Sequence, residues 1–250
     1  MFIGFICKVM ERTFEINEPV VEGINKTNTK YLLSLFAAIK NVSIGYIRYT
    51  NHNVNPNSSA ATEELIKRSN AEISHVERVF AYELYRQWCE QDIVRNTPQL
   101  VINAEIPKQF IDGESVGKSM LYYPDMVLHF GQNDYRHNFI ICEIKRKEYV
   151  DSYPEKMNDD INKLVIYVDE KTKTKYHDIN WEPFAIGVFL MTVKELKITE
   201  NEKYTLDLLL RHFNQDVLNL REKDVAKKIV CIIYNGQELR YDTLYNMLNK

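Results

Sequence analysis

The stretch from Tyr123 to Lys147 decides the fold of this chain, and it reads YPDMVLHF, then GQNDYRH, then NFIICEIKRK. Pro124 opens the first apolar run, which is typical of a strand start because proline has no N–H to give to a neighbouring strand. The middle segment is rich in Gly, Asn and Asp, the residues that favour turns. The β-branched and aromatic residues of 138–145 predict a second strand, so the stretch predicts an antiparallel hairpin.

Three charged side chains are expected to meet at one end of this hairpin. Glu143 and Lys145 fall on one face of the second strand, because side chains alternate between faces with a period of two. The same face begins with the apolar residues Phe139 and Ile141. Asp125 lies at the start of the neighbouring strand, within reach of the same corner. Acids and lysines are rarely buried unless they are paired or used, so this corner is a candidate functional site.

The residue types at this corner have a chemical use. Two carboxylates suit Mg²⁺, which prefers hard oxygen ligands and usually keeps several waters. A metal held there would polarise a phosphoryl oxygen and acidify a bound water, and Lys145 would orient that water or stabilise negative charge. This combination predicts phosphodiester hydrolysis. The alternative interpretation is a surface hairpin whose terminal charges are solvated.

Pro124-Asp125 followed by Glu143-Ile144-Lys145 resembles the signature of the PD-(D/E)XK nucleases, the restriction-endonuclease-like superfamily. The resemblance covers the chain from about Glu72 to Asn235. It implies an α/β fold, namely a restriction-endonuclease-like mixed sheet flanked by helices, with a small N-terminal extension. It also implies an endonuclease that hydrolyses DNA with Mg²⁺, for which Mn²⁺ can substitute, in restriction, defence or mobile-element processing.

The resemblance assigns roles to individual residues at this site. Asp125 and Glu143 are expected to ligate the metal, and the backbone carbonyl of Ile144 is expected to add a ligand. Lys145 is expected to position or activate the attacking water. Whether the substrate is DNA or RNA, and with what specificity, stays open. A second interpretation is a non-catalytic nucleic-acid-binding or regulatory protein on the same fold.

The first long predicted helix is expected to supply a further carboxylate. Its apolar residues recur at three- and four-residue steps, namely Ile73, Val76, Phe80, Leu84 and Trp88. The first helix of the family often carries a glutamate that reaches the metal, and Glu77 and Glu83 are the two candidates. The sequence of residues 80–84 favours Glu83, acting directly or through water. The alternative is that either glutamate pairs with Arg78 or Arg86 at the edge of the stripe.

The remaining elements predict alternating strands and helices with an N-terminal unit. Residues 1–57 are interpreted as a small subdomain or sheet extension, and residues 58–250 as the nuclease-like domain. Hydrophobic patterning predicts, in order, helix Tyr31–Ile39, strand Val42–Tyr49, strand Leu100–Ile106, helix Pro154–Asp169, strand Phe184–Met191, helix Leu206–Leu220, strand Ile229–Tyr234 and helix Tyr241–Leu248. Some family members carry Gln and Tyr four residues apart on the helix that follows the signature. Lys163 and Tyr167 have that spacing, but Lys replaces Gln, and a surface lysine beside a core-edge tyrosine is the preferred interpretation.

Composition limits the partners and the compartment. A formal net charge of −3 over 250 residues gives no global positive field, so DNA, the expected partner, must be bound by a local surface. A homodimer is the other partnership considered, and no membrane partner is expected because no run approaches the ~20 apolar residues of a membrane helix. The four cysteines show no CxxC pairing, which favours a reducing cytoplasm and no structural zinc. No signal peptide is expected.

Overall fold

The computed structural model describes residues 24–48, 77–104, 124–131, 137–171, 182–194 and 206–249. It confirms an α/β fold in which helices flank a six-stranded mixed sheet. The strands lie side by side in chain order: β1 Leu100–Ala104, β2 Met126–Phe130, β3 Asn138–Arg146, β4 Ile186–Thr192, β5 Ile229–Tyr234 and β6 Leu239–Thr243. The neighbouring strands β3, β4 and β5 run parallel, and the other pairings are antiparallel. The predicted hairpin is the β2–β3 pair.

Most of the helices precede the hairpin or separate the parallel strands. They are α1 Lys26–Asn41, α2 Gly45–Arg48, α3 over 77–89, α4 Asp92–Arg95, α5 Lys147–Ser152, α6 Pro154–Val168, α7 Asp207–Leu210, α8 Gln215–Leu218 and α9 Leu244–Leu248, with a 3-10 helix at Asp224–Lys228. Helix α6 starts with Pro154 at its first position, where the missing N–H costs nothing. Among the described residues, no helix combines the length and the apolar character needed to cross a membrane.

The sheet separates two hydrophobic cores. Helices α1 and α3 cover one face, where Leu35 and Leu84 pack against alternate residues of β3 such as Cys142. Helix α6 and the short helices after β4 cover the other face, which takes Ile141 and, on the helix side, Leu164. Burial on both faces explains why the parallel strands are continuous apolar runs. The described part of the N-terminal segment therefore shares the core of the sheet.

A bulge early in β3 changes which face Phe139 occupies. The register pairs Leu128 with Ile140 but His129 with Asn138, so Phe139 is the extra residue. Its ring lies in the core under α1, against Tyr31 at 4.3 Å between ring centroids. The expectation that Phe139 shares a face with Ile141 is therefore wrong, because an extra residue resets the alternation of side chains. Alternation holds from Ile140 onward.

Three predicted elements differ from the structure. The predicted strand Val42–Tyr49 contains the helical turn α2 in its described part. The single helix predicted over Leu206–Leu220 is two short helices, because the Asn214 side chain accepts from the N–H of Val217 and begins a new one. The start of the predicted helix Tyr241–Leu248 belongs to β6, since a turn with Gly236 at φ 88° folds the chain back onto β5. Residues 1–23 and the proposed boundary after residue 57 lie outside the described residues.

Candidate active site

The site is built on an edge of β3 that β2 leaves open. The pairing of β2 with β3 ends where Met126 meets Cys142, and in the described residues no strand covers this edge of β3 beyond that pair. Carboxylates accept from the N–H groups that β2 does not pair with. The N–H of Ile144 donates to Oδ2 of Asp125 at 2.6 Å, and the N–H of Arg146 donates to the Glu77 side chain. Two acids from different parts of the chain are thereby anchored to one strand end.

The Lys145 ammonium lies among three carboxylates supplied by three separate segments. Its Nζ is 3.5 Å from Oε1 of Glu77 on α3, 3.8 Å from Oδ2 of Asp125 before β2, and 3.4 Å from Oδ2 of Asp160 on α6. Nζ also donates to the carbonyl of Ile144 at 3.0 Å. The Lys145 side chain is only 13% exposed. The ammonium is thus held at the meeting point of both helical layers and the open strand edge.

Glu143 lies on the same face of β3 as Lys145 and is deeply buried. Burial raises the pKa of its carboxyl well above the usual range, and the carboxylates of Asp125 and Asp160 raise it further. The ammonium groups of Lys145 and Lys163 act in the opposite direction but do not prevail. A buried acid that is costly to ionise alone would be stabilised in its charged form by an added cation.

Charge coupling also changes the proton affinity of the groups around Glu143. Burial raises the pKa of Glu77 to about 7, with Lys145 opposing the rise and Asp125 adding to it. For Lys145 itself, burial disfavours the charge, but the carboxylates of Asp125, Glu77, Asp160 and Glu143 hold its pKa well above the usual value. The lysine is therefore an ammonium at neutral pH, and Glu77 is the neighbour whose pKa lies near that pH.

The expectation that Glu83 completes this cluster is not met by the geometry. Glu83 accepts from Arg86 at 2.6 and 3.0 Å and from Gln87 at 2.7 Å, along its own helix. Arg86 is the main reason that the pKa of Glu83 is lowered. Glu77 reaches the cluster instead, because it lies one turn before the buried Phe80 on the face that α3 turns toward the sheet.

Sequence reasoning missed Asp160, although a signal for it exists. Asp160 follows Met157 by three residues and directly precedes Ile161, which places it inside the apolar stripe of α6. Its side chain is 6% exposed, and its Oδ1 accepts from Nζ of Lys163 at 2.6 Å. Lys163, interpreted from sequence as a surface lysine, is thus the partner of a buried acid beside the site. Tyr167, also considered, packs in the core against Phe184.

The donor chemistry of this corner fits Mg²⁺. Carboxylate oxygens of Asp125, Glu143 and Glu77 and the carbonyl of Ile144 are hard ligands of the kind that this ion takes. In the structure an ammonium group lies among them: the Ile144 carbonyl, Oε1 of Glu77 and Oδ2 of Asp125 are 3.0, 3.5 and 3.8 Å from Nζ of Lys145. Correspondingly, no group of three His, Cys, Asp or Glu side chains among the described residues has the arrangement of a metal-binding site.

Comparison with protein-family models, with curated proteins and with solved structures yields no match to this chain.

Proposed function

We propose that the chain is a Mg²⁺-dependent endonuclease that hydrolyses phosphodiester bonds of DNA. The observation that carries the proposal is the convergence of Asp125, Glu143 and Lys145 at one end of a buried sheet, where Lys145 lies 3.8 Å from Asp125 and Asp125 raises the pKa of Glu143. Burying two acids and a lysine costs desolvation free energy, which a purely structural role would not explain. Phosphoryl transfer, by contrast, uses groups of these types.

The element order supports the restriction-endonuclease-like fold as the finer description. Helix α3 precedes the antiparallel strands β1, β2 and β3, and α6 then leads to β4, which pairs parallel with β3. This is the order that the resemblance to the PD-(D/E)XK nucleases implies. Asp125 directly precedes β2, and Glu143 and Lys145 lie in the second half of β3, which supports this description.

Each residue of the site has its own proposed role. Asp125 and Glu143 would hold Mg²⁺, with the Ile144 carbonyl beside them and Glu77, rather than Glu83, as the carboxylate from the helix. When bound, the ion would polarise a phosphoryl oxygen and acidify a water. Lys145 presents a charged donor at the same point, where it stabilises the negative charge that develops on the phosphoryl oxygens. The buried surroundings strengthen that interaction because they exclude bulk water.

The proposed biological setting comes from the resemblance and from the cysteines. Restriction, defence or mobile-element processing are the roles that the resemblance implies, with DNA as partner and a homodimer as one option. Cys89, Cys142 and Cys231 are free thiols, and two of them are buried in the sheet. Free buried thiols are typical of a reducing compartment, so we propose a cytoplasmic location.

The direct test is a cleavage assay with purified protein and Mg²⁺ on plasmid, linear and branched DNA, with RNA of matched sequence beside them. We expect DNA cleavage that EDTA abolishes and that Asp125→Ala and Glu143→Gln remove. Glu83→Gln is the matched control, because Glu83 lies on α3 but pairs with Arg86 away from the cluster. Binding of DNA without any cleavage product would contradict the proposed nuclease activity and favour a non-catalytic DNA-binding protein.

A further inference from the structure

Asp160 differs from the other acids around Lys145 in the element that supplies it and in its bonding partners. Asp125 and Glu77 are bonded to backbone N–H groups on the open edge of β3, next to the Ile144 carbonyl. Asp160 comes from α6, in the layer on the opposite side of the sheet from α3. It has the shortest distance of the three to Nζ of Lys145, at 3.4 Å.

Both oxygens of Asp160 are already engaged by lysines. Its Oδ2 faces Lys145 and its Oδ1 accepts from Lys163 at 2.6 Å. Such a carboxylate is poorly placed as a metal ligand, since either lysine would have to be displaced first. It is well placed to hold an ammonium group, because Lys163 fixes the carboxylate from its other side. The cost of burying Asp160 is thus offset by two cations rather than by one.

A divalent cation on Asp125 and Glu143 would repel the ammonium that now lies beside Asp125. The ammonium then needs a second carboxylate to stay near the reacting phosphate without sharing the ligands of the ion. Asp160 is that carboxylate, because it already contacts Nζ and does not belong to the β3 edge. Without it, Lys145 would remain with Glu77 and Asp125 and compete with the cation for them.

We infer that Asp160 is a positioning residue for Lys145: it draws the ammonium toward α6, so that the carboxylates on the β3 edge are available to a divalent cation while Lys145 stays at the site. The inference rests on the proposed function for its catalytic consequence, but its effect on cation binding does not require that the protein cleave anything.

The test is a double-mutant cycle on Mg²⁺ affinity, measured by titration calorimetry on the full chain without nucleic acid. Asp160→Asn in the wild-type background should weaken Mg²⁺ binding about tenfold, the usual order for a residue that orients a site group. Lys145→Met should tighten binding, since the competing ammonium is gone. Asp160→Asn added to Lys145→Met should then have little further effect, because no ammonium remains to be positioned.

The control is Asp159→Asn, which changes the neighbouring residue on α6, an exposed acid near Lys156. It should leave Mg²⁺ affinity unchanged, and thermal melting of every variant shows that each is folded. Equal losses of affinity from Asp160→Asn in both backgrounds would overturn the inference, because Asp160 would then act on the cation itself. No effect in either background would overturn it as well, and so would failure of both wild type and Lys145→Met to bind Mg²⁺.

The double-mutant cycle tests the role of Asp160, and the cleavage assay tests the proposed function, so either can be contradicted without the other. The expected pattern of affinities in a protein that cleaves no nucleic acid would remove the proposed function and leave the role of Asp160 intact. Mg²⁺-dependent cleavage with a flat cycle would do the reverse. In a cleaving protein, Asp160→Asn should also slow single-turnover cleavage at saturating Mg²⁺ by about tenfold.

Discussion

Glu77 and Glu83 lie on the same helix, six positions apart, in opposite surroundings. Glu77 is on the face that meets the sheet, where its carboxylate contacts the buried Lys145 and its pKa rises to about 7. Glu83 is bound along the helix by Arg86, and its pKa falls. The difference teaches that the position of a carboxylate around a helix, rather than its distance along the chain, decides whether it belongs to a site.

The largest effect should come from the lysine that Glu77 contacts. Lys145→Ala should lower cleavage by on the order of a hundredfold or more, as loss of one group that stabilises the transition state usually does, while Mg²⁺ still binds, more tightly because the competing ammonium is gone. Arg86→Ala, which removes the cation beside Glu83, should leave cleavage unchanged. Single-turnover kinetics and Mg²⁺ titration of both variants measure this. Wild-type cleavage by Lys145→Ala would show that the buried cluster is not the reacting site.

Substitution of the two glutamates should produce a smaller difference in cleavage rate than Lys145→Ala does. Glu77→Gln should slow cleavage by about tenfold, because the amide oxygen still accepts from the Arg146 N–H but no longer carries charge at the cluster. Glu83→Gln should cleave as wild type does. Initial rates at saturating Mg²⁺ compare them. If Glu83→Gln proves the slower variant, the assignment of Glu77 as the carboxylate contributed by α3 is reversed.

A third prediction concerns pH in the absence of metal. The folded pKa of Glu77, about 7, lies above its unfolded value of 4.5, so the native state binds more protons between these values. Its contribution to stability is full below pH 4.5 and is lost as the pH rises through 7. The unfolding free energy should therefore fall by about 1 kcal/mol from pH 6 to pH 7 through this group alone.

Urea unfolding in EDTA, at both pH values, measures this effect. Glu77→Gln should lack that part of the pH dependence, whereas Glu83→Gln should keep it, because the pKa of Glu83 is lowered and its contribution is lost only in acid. The same slope in wild type and Glu77→Gln would show that Glu77 does not carry the titration.

The smallest effect is expected from the ion pair of Glu83 with Arg86. Its arginine side chain is 60% exposed, while its glutamate side chain is 10% exposed. Water and salt screen the guanidinium, and the amide oxygen of Glu83→Gln can still accept from it, so the melting temperature should shift by less than about 2 °C. A larger shift, seen by calorimetry at neutral pH, would mean that Glu83 has a structural role beyond that pair.

Sequence could place the hairpin acids better than the helix acid for a physical reason. Strand alternation has a period of two, so Glu143 and Lys145 must share a face once β3 is recognised, and Asp125 follows from the hairpin. A helix turns by 100° per residue, and its orientation depends on which apolar residues meet the sheet. Glu77 lies one turn before the buried Phe80, on the face of the helix that also carries the buried Leu84. Residues 80–84 alone do not show that this face includes Glu77.

Asp160 and Phe139 show two other features that could not be predicted from the sequence. Asp160 comes to Lys145 only through packing of α6 on the sheet, a contact across the fold that local patterning does not encode. Strict alternation places Phe139 on the wrong face because a single extra residue shifts the register, and nothing in the composition of the strand marks its position. The six-stranded α/β order, by contrast, was largely predictable, since continuous apolar runs mark the buried strands. Strand β6, whose face is only partly buried, was not.

The open edge of β3 has a consequence for how this protein behaves in solution. Unpaired N–H groups at a strand edge are templates onto which another chain can add a strand, a common start of aggregation. Asp125 occupies the N–H of Ile144 and Glu77 occupies that of Arg146, so the acids of the site also close the template. Their negative charge repels the carbonyl groups of any incoming strand. The same side chains that give the corner its chemistry thus also occupy the backbone donors of this edge.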